Sequence, residues 1–130
     1  MPYNFENLEI LVADDNEFMR SVIRMTLQAL GFQRDNIVEA ESGEDVLKLL
    51  KTNTPDLIIT DLNMKPMNGL ELTRNIRRSE DSLLKFMPVM ICTGHTEAKY
   101  IVAARDAGAT EIVCKPISAK SSTTTSAPPT

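Results

Sequence analysis

The stretch Leu57-Ile58-Ile59-Thr60-Asp61 decides the fold, because it is a short apolar run that ends on a carboxylate. Residues 10–13, 88–92 and 112–114 are apolar runs that also lead directly into polar side chains. Short continuous apolar runs are typical of strands buried on both faces of a parallel sheet, where ligands bind at the carboxyl ends of the strands. The polar residues at these ends are therefore predicted to form one site around Asp61; they are Asp14, Asp15, Asp61, Thr93 and Lys115.

Strand and helix signals alternate along the chain. The predicted strands are residues 9–13, 36–40, 57–60, 88–92 and 111–114. Apolar residues at helical spacing predict a helix after each of the first four strands, the last of them at about residues 97–107. This alternation is typical of βαβ units, so we expect an α/β fold in which helices cover both faces of one parallel sheet.

Three local predictions accompany this fold. In the first helix the apolar residues recur at near-helical spacing, and its methionines are predicted to pack in the core; the apolar residues are Phe18, Met19, Val22, Ile23, Met25, Leu27 and Leu30. Residues 79–86 are predicted to form a polar connector. The arginines near the end of the third helix, Arg74, Arg77 and Arg78, are interpreted as a solvated helix end rather than a phosphate-binding patch, because cations are favoured at helix C-termini.

The composition is that of one globular domain. The 130 residues are 42% hydrophobic and 25% charged, and the net charge of -4 lacks the basic excess of a nucleic-acid binder. No apolar run approaches the ~20 residues of a membrane span, and no signal peptide is evident, so a cytoplasmic protein without membrane contact is expected. Cys92 and Cys114 each close an apolar run and are predicted to be buried free thiols rather than a disulfide or a redox pair.

The last residues of the chain have a different composition. Residues 118–130 are rich in Ser, Thr, Ala and Pro and offer little apolar surface to bury, so they are predicted to be a disordered tail or linker. The predicted domain therefore covers residues 1–117, with Ile117 as its last core candidate. A helix after the fifth strand, which would cover one face of the sheet, is expected to be missing or replaced.

The chemistry of the predicted site follows from its charge. Converging carboxylates repel each other and favour a hard divalent cation with oxygen ligands. Asp14 and Asp15 can offer one direct and one water-mediated ligand, Asp61 another, and the backbone carbonyl of Asn63 lies within reach; few carboxylates and several waters suit Mg²⁺ better than Ca²⁺. Beside such an ion Asp61 can attack phosphorus, while Thr93 and Lys115 stabilise the charge of the transferring group.

These residues carry a resemblance to a known family. Between about residues 8 and 117, the sequence resembles the receiver domain of bacterial two-component response regulators, of the chemotaxis-response-regulator type. The resemblance rests on motifs that occur in a fixed order: Val12-Ala13-Asp14-Asp15, Ile58-Ile59-Thr60-Asp61-Leu62-Asn63-Met64, Met67-Asn68-Gly69-Leu70-Glu71-Leu72, Thr93-Gly94, Gly108-Ala109 and Lys115-Pro116.

The resemblance implies a flavodoxin-like fold with strand order 2-1-3-4-5 and a phosphoprotein rather than an enzyme. Asp61 would take a phosphoryl group from a sensor histidine kinase or a histidine phosphotransfer protein, and the domain would signal to a downstream effector protein or a fused output domain. Asp15, Asp61 and the Asn63 carbonyl would ligate Mg²⁺, with Asp14 acting mainly through water. Thr93 and Lys115 would bind the phosphoryl oxygens, and small Gly94 would leave access to the acyl phosphate.

Three features depart from the family pattern. Pro66 lies one place later than usual in the loop after Asp61, so a different loop shape is expected. Ile112 stands at the switch position on the fifth strand, where Tyr or Phe is common. The third departure is the missing last helix. His95, the single histidine, is interpreted as an exposed loop residue.

Two other functions are compatible with part of this pattern. A small-molecule aspartyl-phosphate phosphatase also places a nucleophilic Asp at a strand end, but it typically needs a second Asp two residues later, where this chain has Asn63. A phosphate-independent binding module could share the fold. The full set of polar strand-end residues argues against that alternative.

Overall fold

A computed structural model describes residues 7–94 and 97–114 of the chain. Strands and helices alternate along it as the sequence predicts. In chain order the elements are β1 (Ile10–Ala13), α1 (Glu17–Ala29), a 3₁₀ turn (Arg34–Asn36), β2 (Ile37–Ala40), α2 (Gly43–Leu49), β3 (Leu57–Asp61), α3 (Gly69–Arg77), α4 (Ser82–Lys85), β4 (Val89–Thr93), α5 (Ala98–Ala107) and β5 (Glu111–Cys114).

The five strands form one parallel sheet in the order β2-β1-β3-β4-β5. Asp61 at the end of β3 lies opposite Cys92 of β4, and Thr93 at the end of β4 lies opposite Cys114 of β5. The carboxyl ends of these strands therefore meet at one edge of the sheet. The predicted α/β class, the flavodoxin-like fold and the strand order are confirmed.

Two apolar cores lie on the two faces of the sheet, because successive residues of a strand point to opposite sides. Leu11 and Ile58 belong to the core that α2, α3 and α5 cover, whereas Ile10 and Ile59 belong to the core that Ile23 of α1 covers. Within the described ranges, α1 is the helix that contributes buried residues to this second core. The predicted loss of a helix after β5 concerns residues that lie outside the described part of the chain.

The first helix is oriented differently from the prediction. Phe18, Met25 and Leu30 are 72%, 58% and 50% exposed, so the prediction that the methionines pack in the core is wrong for Met25. Ile23 and Leu27, which lie one turn apart, are the buried residues of α1. The cause is geometric: one stripe of a helix can face a sheet, and the apolar residues of α1 extend beyond that stripe.

The polar connector predicted at residues 79–86 contains the short helix α4, so that prediction is wrong as well. Asp81 caps this helix, because its Oδ1 accepts a hydrogen bond of 2.9 Å from the backbone N–H of Leu83. Leu83 and Phe86 remain 67% and 74% exposed. The helix therefore owes its start to a local cap and contributes little to the core.

Arg77 is not part of a solvated helix end. Its guanidinium donates hydrogen bonds to the carbonyl oxygens of Met87, Gly108 and Lys85 at 2.7, 2.8 and 3.1 Å. Burial lowers the pKa of Arg77 from its ordinary value, but an arginine remains charged at neutral pH. Arg77 thus joins the end of α3 to the chain before β4 and to the turn before β5.

The thiol predictions are confirmed in part. Cys92 and Cys114 are both free, and Cys92 is buried. Cys114 is only partly buried, because it lies on β5, an outer strand with a neighbour on one side only. No helix in residues 7–94 or 97–114 is long and apolar enough to cross a membrane.

Candidate functional site

Three carboxylates converge at the carboxyl edge of the sheet. Asp14 and Asp15 follow β1, Asp61 ends β3, and one ligand oxygen from each lies within 4.8 Å of the others, a grouping that can hold a metal ion. Asp14 is 1% and Asp61 6% exposed, whereas Asp15 is open to solvent. The acidic part of the site is therefore brought together as the sequence predicts.

Asp14 is held through both its backbone and its side chain. Its N–H donates to the carbonyl of Ala40 at 3.1 Å, which extends the pairing of β1 with β2 by one residue. Its Oδ1 accepts a hydrogen bond of 2.9 Å from the N–H of Asn16, and its carbonyl accepts one of 2.6 Å from Nη1 of Arg20. Asn16 in turn caps α1, since its Oδ1 accepts from the N–H of Met19 at 3.1 Å.

Asp61 is fixed by the strand to which it belongs. The N–H of Leu62 donates to the carbonyl of Cys92 at 2.8 Å, so the chain stays paired with β4 just after Asp61. The hydroxyl of Thr60 donates to the carbonyl of Asp61 at 3.0 Å. Both bonds hold the peptide group between Asp61 and Leu62, directly after the residue that carries the carboxylate.

The loop after Asp61 is closed at its base. The N–H of Gly69 donates to the carbonyl of Leu62 at 2.8 Å, and α3 begins at Gly69 directly afterwards. Asn68 caps α3 in a reciprocal pair: its side chain accepts from the N–H of Glu71, and the Glu71 side chain accepts from the N–H of Asn68. Within the loop the peptide bond between Lys65 and Pro66 is cis.

Asn63 lies in this loop and shares an open pocket with Asp15. The pocket is where the predicted carbonyl ligand would meet the acidic group. Its lining residues are Asp15, Asn63, Met64, Lys65, Pro66 and Asn68. Asp15 is the carboxylate that the pocket shares with the acidic group, so the open space beside the group can admit a cation together with its water ligands.

Thr93 ends β4 at the same edge of the sheet. It is 1% exposed and directly follows Cys92, the residue that pairs with Asp61. A β-carbon at the neighbouring Gly94 would meet nothing within 4 Å, so the space beside Thr93 is open. Lys115 and His95, and the interpretations attached to them, lie outside the described residues.

Ile112 is the residue for which the resemblance implies a switch position. It lies on β5 opposite Ile91 and is partly buried against the core beneath α3 and α5. Its side chain therefore packs as an ordinary aliphatic residue of an edge strand.

Arg20 and Glu39 were not anticipated as part of the site. Arg20 contacts the carbonyl of Asp14, and its Nε donates to Oε1 of Glu39 at 3.0 Å. The i, i+4 spacing of Arg20 and Arg24 indicates a basic helix face, but their acidic partner lies on β2 and becomes visible only in the folded chain.

Comparison with known proteins agrees with this geometry. The family described as "Response regulator receiver domain" matches residues 10–125. The chain is 37% identical to chemotaxis protein CheY-3 of Vibrio cholerae over 114 residues, which cover 88% of this chain and 85% of that protein. It is 36% identical to chemotaxis protein CheY of Pseudomonas aeruginosa over 113 residues, which cover 87% and 88%.

Solved structures are similar over the same region. The chemotaxis response regulator CheY4 of Vibrio cholerae superposes with a TM-score of 0.77 at 28% identity, covering 91% of this chain and 94% of that one. A response regulator receiver protein from Pseudomonas putida gives a TM-score of 0.74 at 27% identity and covers 93% of each chain. With its parallel sheet, its acidic triad and these relatives, the chain belongs to the response regulator receiver domain family.

Proposed function

We propose that this chain is a phospho-accepting signalling domain of a two-component system and that Asp61 is the phosphorylated residue. The observation that carries the proposal is the convergence of Asp14, Asp15 and Asp61 at the carboxyl edge of a receiver-family sheet. Among these three, Asp61 stands at the end of a central strand, and two hydrogen bonds hold the peptide group that follows it, which suits a group that must attack in one direction.

The donor is proposed to be a phosphohistidine on a sensor kinase or a phosphotransfer protein. As an oxygen of Asp61 bonds to phosphorus, the bond from phosphorus to the imidazole nitrogen breaks, and the nitrogen leaves with the electron pair. Mg²⁺, held by Asp15, Asp61 and the Asn63 carbonyl with Asp14 acting through water, would neutralise charge on the phosphoryl oxygens. Thr93 and Lys115 are proposed to donate hydrogen bonds to the same oxygens.

The output is proposed to be a change in conformation rather than turnover of a substrate. A phosphoryl group adds negative charge to an edge that already carries three carboxylates, so the surrounding side chains must rearrange to pair with it. The rearranged state would then bind a downstream effector protein or a fused output domain. A cytoplasmic location follows from the proposed donor.

The direct test is phosphorylation by acetyl phosphate with Mg²⁺, followed by intact-mass analysis. The wild-type chain is expected to gain the mass of one phosphoryl group. Asp61→Asn is expected to gain none, because an amide is not a nucleophile toward phosphorus. Asp106→Asn, at an exposed carboxylate of α5, is the matched control and should label like the wild type.

Two results would contradict the proposal. One is an unlabelled wild-type chain at saturating Mg²⁺, and the other is full labelling of Asp61→Asn. Steady release of phosphate from a generic phosphomonoester would instead favour the small-molecule phosphatase.

A further inference from the structure

A cluster of three charged residues joins α1 to β2 beside the acidic site. Glu39 of β2 accepts a hydrogen bond of 3.0 Å from Nε of Arg20 on one carboxylate oxygen and one of 2.6 Å from Nη1 of Arg24 on the other. The side chains of Arg20, Arg24 and Glu39 are 13%, 22% and 29% exposed. Partly buried, hydrogen-bonded ion pairs of this kind fix side-chain direction better than exposed pairs do.

Arg20 makes a second contact, and Arg24 has no equivalent among the hydrogen bonds of the described residues. Its Nη1 donates to the backbone carbonyl of Asp14 at 2.6 Å. That carbonyl belongs to the peptide group between Asp14 and Asp15, so its direction sets the orientation of the residue that follows. Arg20 is therefore bonded at once to Glu39 and to the peptide that carries two acidic groups of the site.

We propose that Arg20, aimed by Glu39, is a positioning residue for divalent-cation binding at the acidic site. Carboxylates that converge without a cation repel each other, and that repulsion tends to turn the peptide between Asp14 and Asp15. The charge-assisted bond from Arg20 opposes this rotation and keeps both side chains directed toward Asp61. Glu39 holds the other side of the guanidinium fork, which leaves Nη1 pointing at the carbonyl.

This inference rests on the proposed use of the site for Mg²⁺, and the test separates the two. The measurement is the Kd of Mg²⁺ from two-dimensional NMR titration of the wild type and of Arg20→Gln, Arg24→Gln and Glu39→Gln. Arg24→Gln is the matched control, since it removes the same charge from the same helix and the same ion-pair partner. It leaves the contact with Asp14 in place.

Arg20→Gln is expected to weaken Mg²⁺ binding about tenfold, as removal of outer-sphere partners of metal ligands does elsewhere. Arg24→Gln is expected to bind Mg²⁺ within about twofold of the wild type, although it too should lose some thermal stability with its bond to Glu39. Glu39→Gln should weaken Mg²⁺ binding less than Arg20→Gln does. The double variant Arg20→Gln/Glu39→Gln should bind Mg²⁺ as weakly as Arg20→Gln alone, because both residues act through the contact with the Asp14 carbonyl. Should Arg20→Gln fail to fold, Arg20→Lys is measured instead, since one ammonium group cannot reproduce the fork.

Equal Kd values for Arg20→Gln and the wild type would overturn the positioning role and leave the proposed function standing. Equal weakening in Arg20→Gln and Arg24→Gln would also overturn it, because the effect would then follow charge and not the contact. A wild-type chain that binds no Mg²⁺ would overturn both proposals together.

Discussion

Gly69 lies directly against the backbone of Asp61. A β-carbon at Gly69 would fall inside the contact distance of the Asp61 carbonyl oxygen and 3.1 Å from Cα of Leu62. The backbone of Gly69 has no positive φ, so glycine is required here for space and not for conformation. The start of α3 and the end of β3 are thus packed so closely that a single methyl group would separate them.

Gly69→Ala is therefore expected to destabilise the domain by about 1–3 kcal/mol, as other substitutions that overpack a fixed backbone do. A loss of stability would be informative, because replacing glycine by alanine within a helix otherwise stabilises it. Urea unfolding measures the change. Gly94→Ala, at a position with open space, should change stability by less than about 0.5 kcal/mol, and an equal loss in both variants would contradict the steric explanation.

Asn68→Ala is expected to cost about 1 kcal/mol, because it removes the side-chain oxygen that accepts the N–H of Glu71 at the start of α3. Asn68→Asp keeps that acceptor and should retain most of the stability. Thermal unfolding of the two variants makes the comparison. An alanine variant as stable as the aspartate variant would mean that the cap contributes nothing.

The stability of the domain should depend on the ionisation of Glu39. Burial opposes ionisation and raises the pKa of Glu39, but the hydrogen bonds and charges of Arg24 and Arg20 outweigh it, so the folded-state pKa lies below its ordinary value. A lowered folded pKa stabilises the domain fully above the unfolded-state pKa, and this contribution is lost as the pH falls through the folded-state pKa.

The measurement is the free energy of unfolding of the wild type and of Glu39→Gln between pH 7 and about pH 3, a range that spans the ordinary titration of glutamate. The difference between them should be largest at neutral pH and should shrink in acid. Glu80→Gln, at an exposed carboxylate, controls for the loss of one negative charge. A difference that grows in acid would contradict the direction of the pKa shift.

The orientation of α1 predicts that two apolar substitutions on this helix change stability by very different amounts. Phe18→Ser should change stability by less than about 0.5 kcal/mol because the ring is 72% exposed, whereas Ile23→Ala should cost about 2–5 kcal/mol because that side chain is 2% exposed. Chemical denaturation of both variants tests this. A large loss in Phe18→Ser would mean that α1 presents a different face to the sheet.

The sheet could be predicted from the sequence because β1, β3 and β4 are continuous apolar runs that are bounded by breakers. The residues that end them, such as Asp61 and Thr93, could be assigned to one edge from topology alone. The start of α3 also has a local signal in the sequence, since Asn68 and Glu71 have the spacing of a capping box.

Other features depend on information that is not local. The apolar residues of α1 extend around the helix, so periodicity could not tell Ile23, which faces the sheet, from Met25, which faces solvent. The partner of Arg20, Glu39, lies 19 residues away on strand β2, and no pattern in the chain links the two. The short helix α4 has a local signal in Asp81, but its four residues are too few for periodicity.

Because of Arg77, the amino ends of β4 and β5 are held more rigidly than their carboxyl ends. Its bonds to the carbonyls of Lys85, Met87 and Gly108 clamp together the segments that enter β4 and β5, whereas the opposite edge carries mutually repelling carboxylates. The proposed phosphorylation of Asp61 should therefore displace the carboxyl ends of the strands more than their amino ends. The residues before β4 and β5 should then keep their positions, and the proposed change in conformation should be confined to the other end of these strands.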